Sequence, residues 1–277
     1  MRNTFGLLSY REIEQGVVES HHVNRKTIAF LPVGCTEQHG PYLPIETDTI
    51  IATAVSTGLS DALCPDYWSY VFPSISYTPT KSNIHYTGTV SIGEDQFRQY
   101  VKQVCKSLLH TEFDAVVFVC GHGPADPSLI EISFNLVHEQ YEKKAPKIKP
   151  VFMVSLSECR PLLERVLGQK PGRHADWREL LYLVYILGDD YFNQSKVRDI
   201  VQFQESNLFP TEDPPVFGIP AELRSVQGVM GDPAPASKED WSSLAKIAWD
   251  ATLAHLVDLL RQRLETFFGM EGFHAKE

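Results

Sequence analysis

Long apolar runs, basic clusters and secretory signals are all missing from this sequence, and each absence excludes a class of protein. No segment approaches the roughly 18 consecutive apolar residues that a membrane-spanning helix needs. The first residues, Met1 to Gly6, lack the charged-then-apolar pattern of a signal peptide. The Lys and Arg residues are scattered, and the formal net charge of −10 opposes binding to nucleic acid or anionic membrane. We therefore predict a cytoplasmic protein with neither as a partner.

Cysteine is also sparse, with only five residues, an odd number and wide spacing. They lie mostly in apolar surroundings, which predicts buried free thiols in a reducing compartment rather than a disulfide framework. Cys35 and Cys120 stand beside candidate metal ligands, so a thiol nucleophile is an alternative for either. Neither has a dedicated base next to it in sequence, and this alternative therefore ranks below a metal site.

What is present is enough apolar sequence for one large domain. Of the 277 residues, 43% are hydrophobic, and we predict a single domain over residues 1–277. Apolar strand patterns alternate with amphipathic helix patterns, which indicates an α/β fold with a mostly parallel sheet covered on both faces. The predicted strands are 27–34, 114–120 and 151–156, with an extended stretch at 69–77 that Pro73 weakens, and the predicted helices are 48–63, 94–110 and 126–142.

The last third of the chain is less regular. Residues 205–237 are rich in proline and glycine, and such a long loop predicts a functional segment or an oligomer contact. Ser237 to Asp240 then opens a predicted helix that runs to about Phe268.

Candidate metal ligands follow two of the predicted strands. Glu37, His39 and Asp48 come after the first strand, and His122 lies between two glycines after another. The carboxyl ends of parallel strands meet at one edge of a sheet, so these side chains are expected to lie together. Carboxylate and imidazole ligands suit zinc, manganese or iron. A solvated surface pair is the alternative for Glu37 and His39.

With Glu179, these residues give five candidate ligands, more than one catalytic metal usually takes from a protein. Five ligands suit two metals that share one carboxylate, and Asp48 is the predicted bridge because a short carboxylate can use both oxygens at close range. Alone, Glu179 could simply belong to the solvated start of a helix.

Several motifs resemble those of the creatininase family of metal-dependent amidohydrolases, in the family's order. Glu37-Gln38-His39-Gly40-Pro41-Tyr42-Leu43-Pro44 and Asp48 match its signature. The other matches are the segments His85 to Ile92, Cys120 to Gly123, His174-Ala175 with Glu179, and Gly228 to Pro233.

The resemblance implies a three-layer α/β/α fold, a two-metal centre, and a hexamer or other homo-oligomer. It implies Glu37, His39, Asp48 and His122 as ligands. Pro124 stands where creatininase has a ligating Glu, so Glu179 is the expected fifth ligand. His174 resembles the family's catalytic imidazole, which moves a proton to the departing amine. The expected cofactors are two divalent metal ions, zinc first, with manganese or iron as alternatives.

The residues around the ligands depart from the family pattern. Ile84, Asp176, Trp177 and Leu180 replace family residues, and so does the turn 123–126. This predicts a changed pocket and a substrate other than creatinine. Tyr86, Trp177 and Asp126 are the predicted pocket residues, with core packing as an equal alternative for Tyr86 and Trp177.

We therefore predict a binuclear amidohydrolase that cleaves a C–N bond of a small cyclic or linear amide, such as a lactam or formamide, through a metal-bridging hydroxide. The first alternative is a metal-dependent Lewis-acid enzyme in a biosynthetic pathway, acting as an isomerase, lactonase or C–C hydrolase. A non-catalytic scaffold that keeps the family fold is the second alternative, and five retained ligands argue against it.

Overall fold

A parallel four-stranded sheet forms the centre of the protein. The structure is a computed structural model, and it describes residues 5–64, 66–111, 113–203, 225–237 and 240–270. The strand order is β2-β1-β3-β4, and all neighbouring strands run parallel. The strands are β1 Thr27–Val33, β2 Trp68–Val71, β3 Ala115–Cys120 and β4 Val151–Ser155. Every residue of β1 and β3 is buried, which fits their continuous apolar sequences.

Helices cover both faces of this sheet. They are α1 Tyr10–His22, α2 Thr47–Leu63, α3 Glu94–His110, α4 Asp126–Glu142, α5 Arg160–Leu167, α6 Trp177–Tyr191, α7 Gln194–Gln202 and α8 Trp241–Gly269. Short 3₁₀ helices lie at Phe5–Leu7, Lys81–Asn83, Gly123–Ala125 and Leu156–Cys159.

The hydrophobic core has two parts, one on each face. On one face, α2, α5, α6 and α8 bury a cluster that includes Phe30, Leu59 and Trp177. On the other, α1, α3 and α4 bury a cluster that includes Phe97 and Phe118. The predicted α/β fold, with helices on both faces of a parallel sheet, is confirmed.

The bounds of two elements differ from the sequence prediction. The predicted extended stretch 69–77 pairs as a strand only to Val71, because Pro73 interrupts the ladder; beyond it, Gly34 N donates to Ile75 O at 2.9 Å. The last helix begins at Trp241, where the Asp240 side chain accepts from Ser243 N. In the predicted loop 205–237, residues 205–224 lie outside the described residues, as do Lys238 and Glu239 of the predicted helix start. Among the described residues, no helix has the length and apolarity to cross a membrane.

The buried Asp114 joins the start of β3 to the start of β1. Its carboxylate accepts from the backbone N–H and the hydroxyl of Thr27, at 2.8 and 3.1 Å, and from Lys147. Although burial opposes its ionisation, Lys147 and the Thr27 N–H hold the pKa of the Asp114 carboxyl below its usual value. The folded state therefore binds the Asp114 proton more weakly than the unfolded state does.

We expect Asp114→Asn to lower the free energy of unfolding by about 1–3 kcal/mol at pH 7, the range for a lost charged hydrogen bond. The stabilisation by Asp114 is complete above its unfolded pKa of about 3.9 and is lost as the pH falls through the lower folded pKa. Urea unfolding at several pH values should therefore show the wild type and the variant converging in acid. Asp258→Asn, at an exposed position of α8, is the control. A difference that is the same at pH 7 and at pH 3 would contradict the assignment.

Candidate metal centre

The candidate site lies where β1 and β3 end and α2 begins. Val33 pairs with Cys120 at the carboxyl ends of the two strands, so the loops that follow start side by side. Glycine is required after each strand, because the backbone at the start of α2 lies against it. A Cβ on Gly34 would lie 2.4 Å from Thr49 N, and one on Gly121 would lie 2.5 Å from Asp48 O. The first turn of α2 thereby brings Asp48 to the strand ends.

One group of potential ligand atoms joins Cys35, Glu37, Asp48 and His122, all buried. His122 Nδ1 lies 3.0 Å from Asp48 Oδ2 and 3.1 Å from Glu37 Oε1. His122 Nε2 is 3.0 Å from the carbonyl oxygen of Pro79, which can only accept, so Nε2 carries the proton. Nδ1 is therefore the nitrogen that faces the two carboxylates, and it is the atom that a neutral His122 would offer to a metal.

A second group joins His39, Asp48 and Glu179. His39 Nε2 lies 3.2 Å from Asp48 Oδ1 and 3.9 Å from Glu179 Oε2. His39 Nδ1 donates to the backbone oxygen of Glu37 at 3.0 Å, which leaves Nε2 as the ligand atom. Asp48 belongs to both groups, with one carboxylate oxygen facing each histidine.

His174 comes from the second half of the chain and lies beside both groups. Its ring centroid is 4.3 Å from that of His39, and its Nδ1 is 3.7 Å from Glu37 Oε1. His174 Nε2 donates to the backbone oxygen of Gln38 at 2.6 Å. Its backbone is held by Met230, whose N–H donates to His174 O at 2.8 Å. The late Gly228 to Pro233 motif thus fixes the backbone position of His174.

Sequence reasoning missed the residues that orient Glu37. Asn83 Nδ2 donates to Glu37 Oε2 at 2.7 Å, and the Thr80 hydroxyl donates to the same oxygen. Both come from the loop between β2 and α3. Nothing in their local sequence indicates which carboxylate they would meet, so no pattern could have found them.

Glu179 is held by its own helix start. Its Oε1 accepts from Arg178 Nη2 and its Oε2 accepts from Ala175 N, each at 2.8 Å. The N-cap Asp176 accepts from the backbone N–H of Arg178 and of Glu179. Ala175 has a φ of 53°, a costly conformation for a residue with a Cβ, which this network maintains.

The buried carboxylates of this cluster favour positive charge on the groups beside them. Burial disfavours charge on the His39 ring, yet the Asp48 carboxylate raises the pKa of His39 to about 9. His122 is likewise buried, and Glu37 and Asp48 raise its pKa well above the usual value. Burial also opposes ionisation of Glu37, but His122 and His174 hold the pKa of its carboxyl well below the usual range. The buried carboxylates of Glu37 and Asp48 thus draw positive charge toward them, and a donor set of carboxylates and imidazoles fits divalent cations.

The two cysteines considered as nucleophiles do not suit that role. Cys35 and Cys120 are both buried at the strand ends. Burial raises the pKa of Cys35 to about 12 and that of Cys120 well above its usual value. Both thiols therefore stay protonated at neutral pH, and a protonated thiol is a poor nucleophile.

A cavity of about 370 Å³ opens beside the two donor groups. Glu37, Asp48, His122, His174 and Glu179 line it, together with Pro124 and the three arginines Arg160, Arg173 and Arg178. The structure thus brings all five predicted ligands and His174 into one cluster, although His39 does not itself line the cavity.

The three predicted pocket residues are not among the residues that line this cavity. Trp177, the first residue of α6, is fully buried in the hydrophobic core. The Tyr86 hydroxyl donates to Ser225 O at 2.5 Å. Asp126 accepts from the Ser155 hydroxyl at 2.7 Å, at the start of α4. Their positions suit packing and loop anchoring.

Comparison with known proteins finds similar chains and folds. The family model described as creatininase, creatinine amidohydrolase, matches residues 12–260. Among solved structures, creatinine amidohydrolase (creatininase) is similar with a TM-score of 0.74 and 18% identity, over 94% of this chain and 97% of that one. A structure titled as the manganese form of creatininase is similar with a TM-score of 0.74 and 17% identity, over 94% of this chain and 98% of that one. At this identity, the structures show the fold alone.

Curated relatives match a shorter stretch. The mycofactocin precursor peptide peptidase of Mycobacterium ulcerans (strain Agy99) is 37% identical over 99 residues, or 34% of this chain. The protein of the same name from Mycolicibacterium smegmatis (strain ATCC 700084 / mc(2)155) is 38% identical over 98 residues, or 35% of this chain. The match spans 39% of the length of each relative.

Proposed function

Since this chain belongs to the creatininase family of hydrolases, we propose that it cleaves a C–N bond of a small amide with two divalent cations. Glu37, Asp48 and His122 would hold one cation, and His39, Asp48 and Glu179 the other. Zinc is the first candidate, and manganese or iron are alternatives. A homo-oligomer in the cytoplasm, with a small-molecule amide as its substrate, completes the proposal.

The position of Asp48 carries this proposal. Its Oδ2 faces His122 Nδ1 at 3.0 Å, and its Oδ1 faces His39 Nε2 at 3.2 Å. Each imidazole has its other nitrogen occupied by a backbone carbonyl, so the two ligand nitrogens converge on opposite oxygens of one carboxylate. A single cation site would not need this two-sided arrangement.

The chain's own residues supply orientation and proton transfer. When bound, the cations would lower the pKa of an attacking water and polarise the substrate carbonyl. Gln38 O fixes the proton on His174 Nε2, so Nδ1 faces the reacting region beside Glu37. His174 is placed to take a proton from the water at Nδ1 and to deliver it to the departing amine. The Arg178 contact keeps Glu179 oriented throughout.

A peptide bond is the second candidate for the C–N bond. The curated relatives are named as peptidases, and their identity of 35–38% is higher than that of the creatininase structures. The chemistry would be the same, because a peptide bond is an amide. The cavity of about 370 Å³ would then receive only the residues next to the cleaved bond.

Metal content per chain tests the two-cation proposal. We expect about two cations in the wild type purified without chelator, and about one in Glu179→Ala, because only the second donor group loses a ligand. Glu164→Ala, at an exposed position of α5, should keep both. Elemental analysis gives the counts, and a product mass that gains one water identifies hydrolysis. One cation or fewer in the wild type would overturn the proposal, and a product of unchanged mass would favour the Lewis-acid isomerase instead.

A further inference from the structure

Three arginines line the cavity beside the candidate metal centre, and they differ in their partners. Arg178 is buried and neutralised, because its guanidinium contacts Asp176 and Glu179. Arg173 is exposed at the cavity rim. Arg160 lies between these extremes, partly buried at the start of α5. The contacts of Arg160 are therefore the ones that bear on what the cavity binds.

Arg160 has no carboxylate partner among the residues that the structure describes. Its Nη2 donates to the backbone oxygen of Gly172, a neutral group. Its Nε is buried without a hydrogen-bond partner. Asp176 and Glu179 are the nearest acidic influences on Arg160, but both already pair with Arg178. The guanidinium thus reaches the cavity without an ion pair of its own among the described residues.

This placement is energetically unfavourable without a ligand. A partly buried charge without an ion pair loses hydration and gains no direct partner in return. A cation at a helix N-terminus is also opposed by the helix dipole, and Arg160 is the first residue of α5. Burial, together with the nearby charges of Arg178 and Arg173, lowers the pKa of Arg160. An anion in the cavity would offset all three effects.

We propose that Arg160 binds a carboxylate of the substrate, so that the hydrolysed molecule is an amide that carries an acidic group close to the cleaved C–N bond. A guanidinium offers parallel N–H donors that match a carboxylate, and this geometry adds specificity as well as attraction. The inference rests on the proposed function for the location of the C–N bond. It assigns the substrate class within that function, acidic rather than neutral amides.

A pair of nearly isosteric probes tests the charge preference directly. N-acetyl-L-alanine carries a carboxylate where N-acetyl-L-alaninamide carries a neutral amide. Ligand-observed NMR titrations give the Kd of each probe for the metal-loaded protein, and the same spectra reveal any hydrolysis. We expect the wild type to bind the acid about tenfold more tightly than the amide, and Arg160→Gln to reduce this ratio to about one. Arg165→Gln, at an exposed position of the same helix, should keep the wild-type ratio.

Equal binding of the two probes by the wild type would overturn the inference, as would a preference that persists in Arg160→Gln. A carboxylate that binds only the cations gives this second result, because the variant retains them. If Arg160→Gln does not fold, Arg160→Lys takes its place, and we expect its ratio to fall at least about threefold, because an ammonium lacks the planar fork. An unchanged ratio there would equally overturn it. Metal content is measured on each variant, so that failure of the two-cation proposal is recognised separately.

Discussion

Asp48→Asn is expected to release both cations and to abolish hydrolysis, the largest effect of any single substitution at the site. Asn keeps the size of the side chain but lacks the charge and one acceptor oxygen, so each donor group loses its shared ligand. Loss of an outer-shell partner typically costs 10–100-fold in metal affinity, and loss of a shared ligand should exceed about 100-fold for both cations. Glu179→Ala, by contrast, should leave the group around His122 intact.

Equilibrium metal titration and elemental analysis check this expectation for Asp48→Asn. Asp61→Asn is the matched control, because it lies on the same helix α2 with an exposed side chain. Circular dichroism establishes that the variant folds. A variant that retains one tightly bound cation would show that Asp48 serves only one donor group, and the two-sided geometry would then have no catalytic meaning.

Trp177→Ala is expected to lower the free energy of unfolding by about 3–5 kcal/mol, the usual range for truncation of a large core aromatic. Trp177 is fully buried in the cluster beneath α6, and its indole N–H donates to Lys170 O at 3.2 Å. Truncation would leave a cavity in the core and remove this hydrogen bond. Because α6 begins at Trp177 and carries Glu179, the second donor group should also loosen.

Urea unfolding of the metal-saturated protein measures how far Trp177→Ala lowers the free energy of unfolding. The partly buried Trp241 provides the comparison, and Trp241→Ala should cost clearly less. Trp177→Phe should recover much of the stability and keep the KM of the wild type. Near-normal stability combined with a changed KM would instead place Trp177 in contact with substrate.

The strands and the helices that follow them were predictable because they carry strong local patterns. The predicted helices 94–110 and 126–142 coincide with α3 and α4. The start of α6 was harder, since Leu180, Leu181, Leu183 and Val184 are all buried, and a run buried on every side has no helical period to detect. The unpredicted α1 does carry a signal, because Ser9 and Glu12 form a capping box.

Some residues of the site could likewise be predicted from the sequence, and others could not. Glu37, His39, Asp48 and His122 could be placed together from the strand ends that precede them, because parallel topology brings those ends to one edge. Two features depend on how separate loops meet: the support of Glu37 by Thr80 and Asn83, and the lack of an ion pair at Arg160 within the described part of the chain. That information is not present in any local stretch of sequence. It arises only when the second half of the chain packs against the first.

The contact between Gln38 and His174 joins residues that are 136 positions apart in the chain. A cation shared by His39 and Glu179 would likewise act as a removable cross-link that closes a very long loop. The entropic cost of closing a loop grows with the length of the loop. A cross-link stabilises the fold because it reduces the conformational entropy of the unfolded chain. Metal supply would then govern not only the chemistry but also how firmly the two halves of the protein are held together.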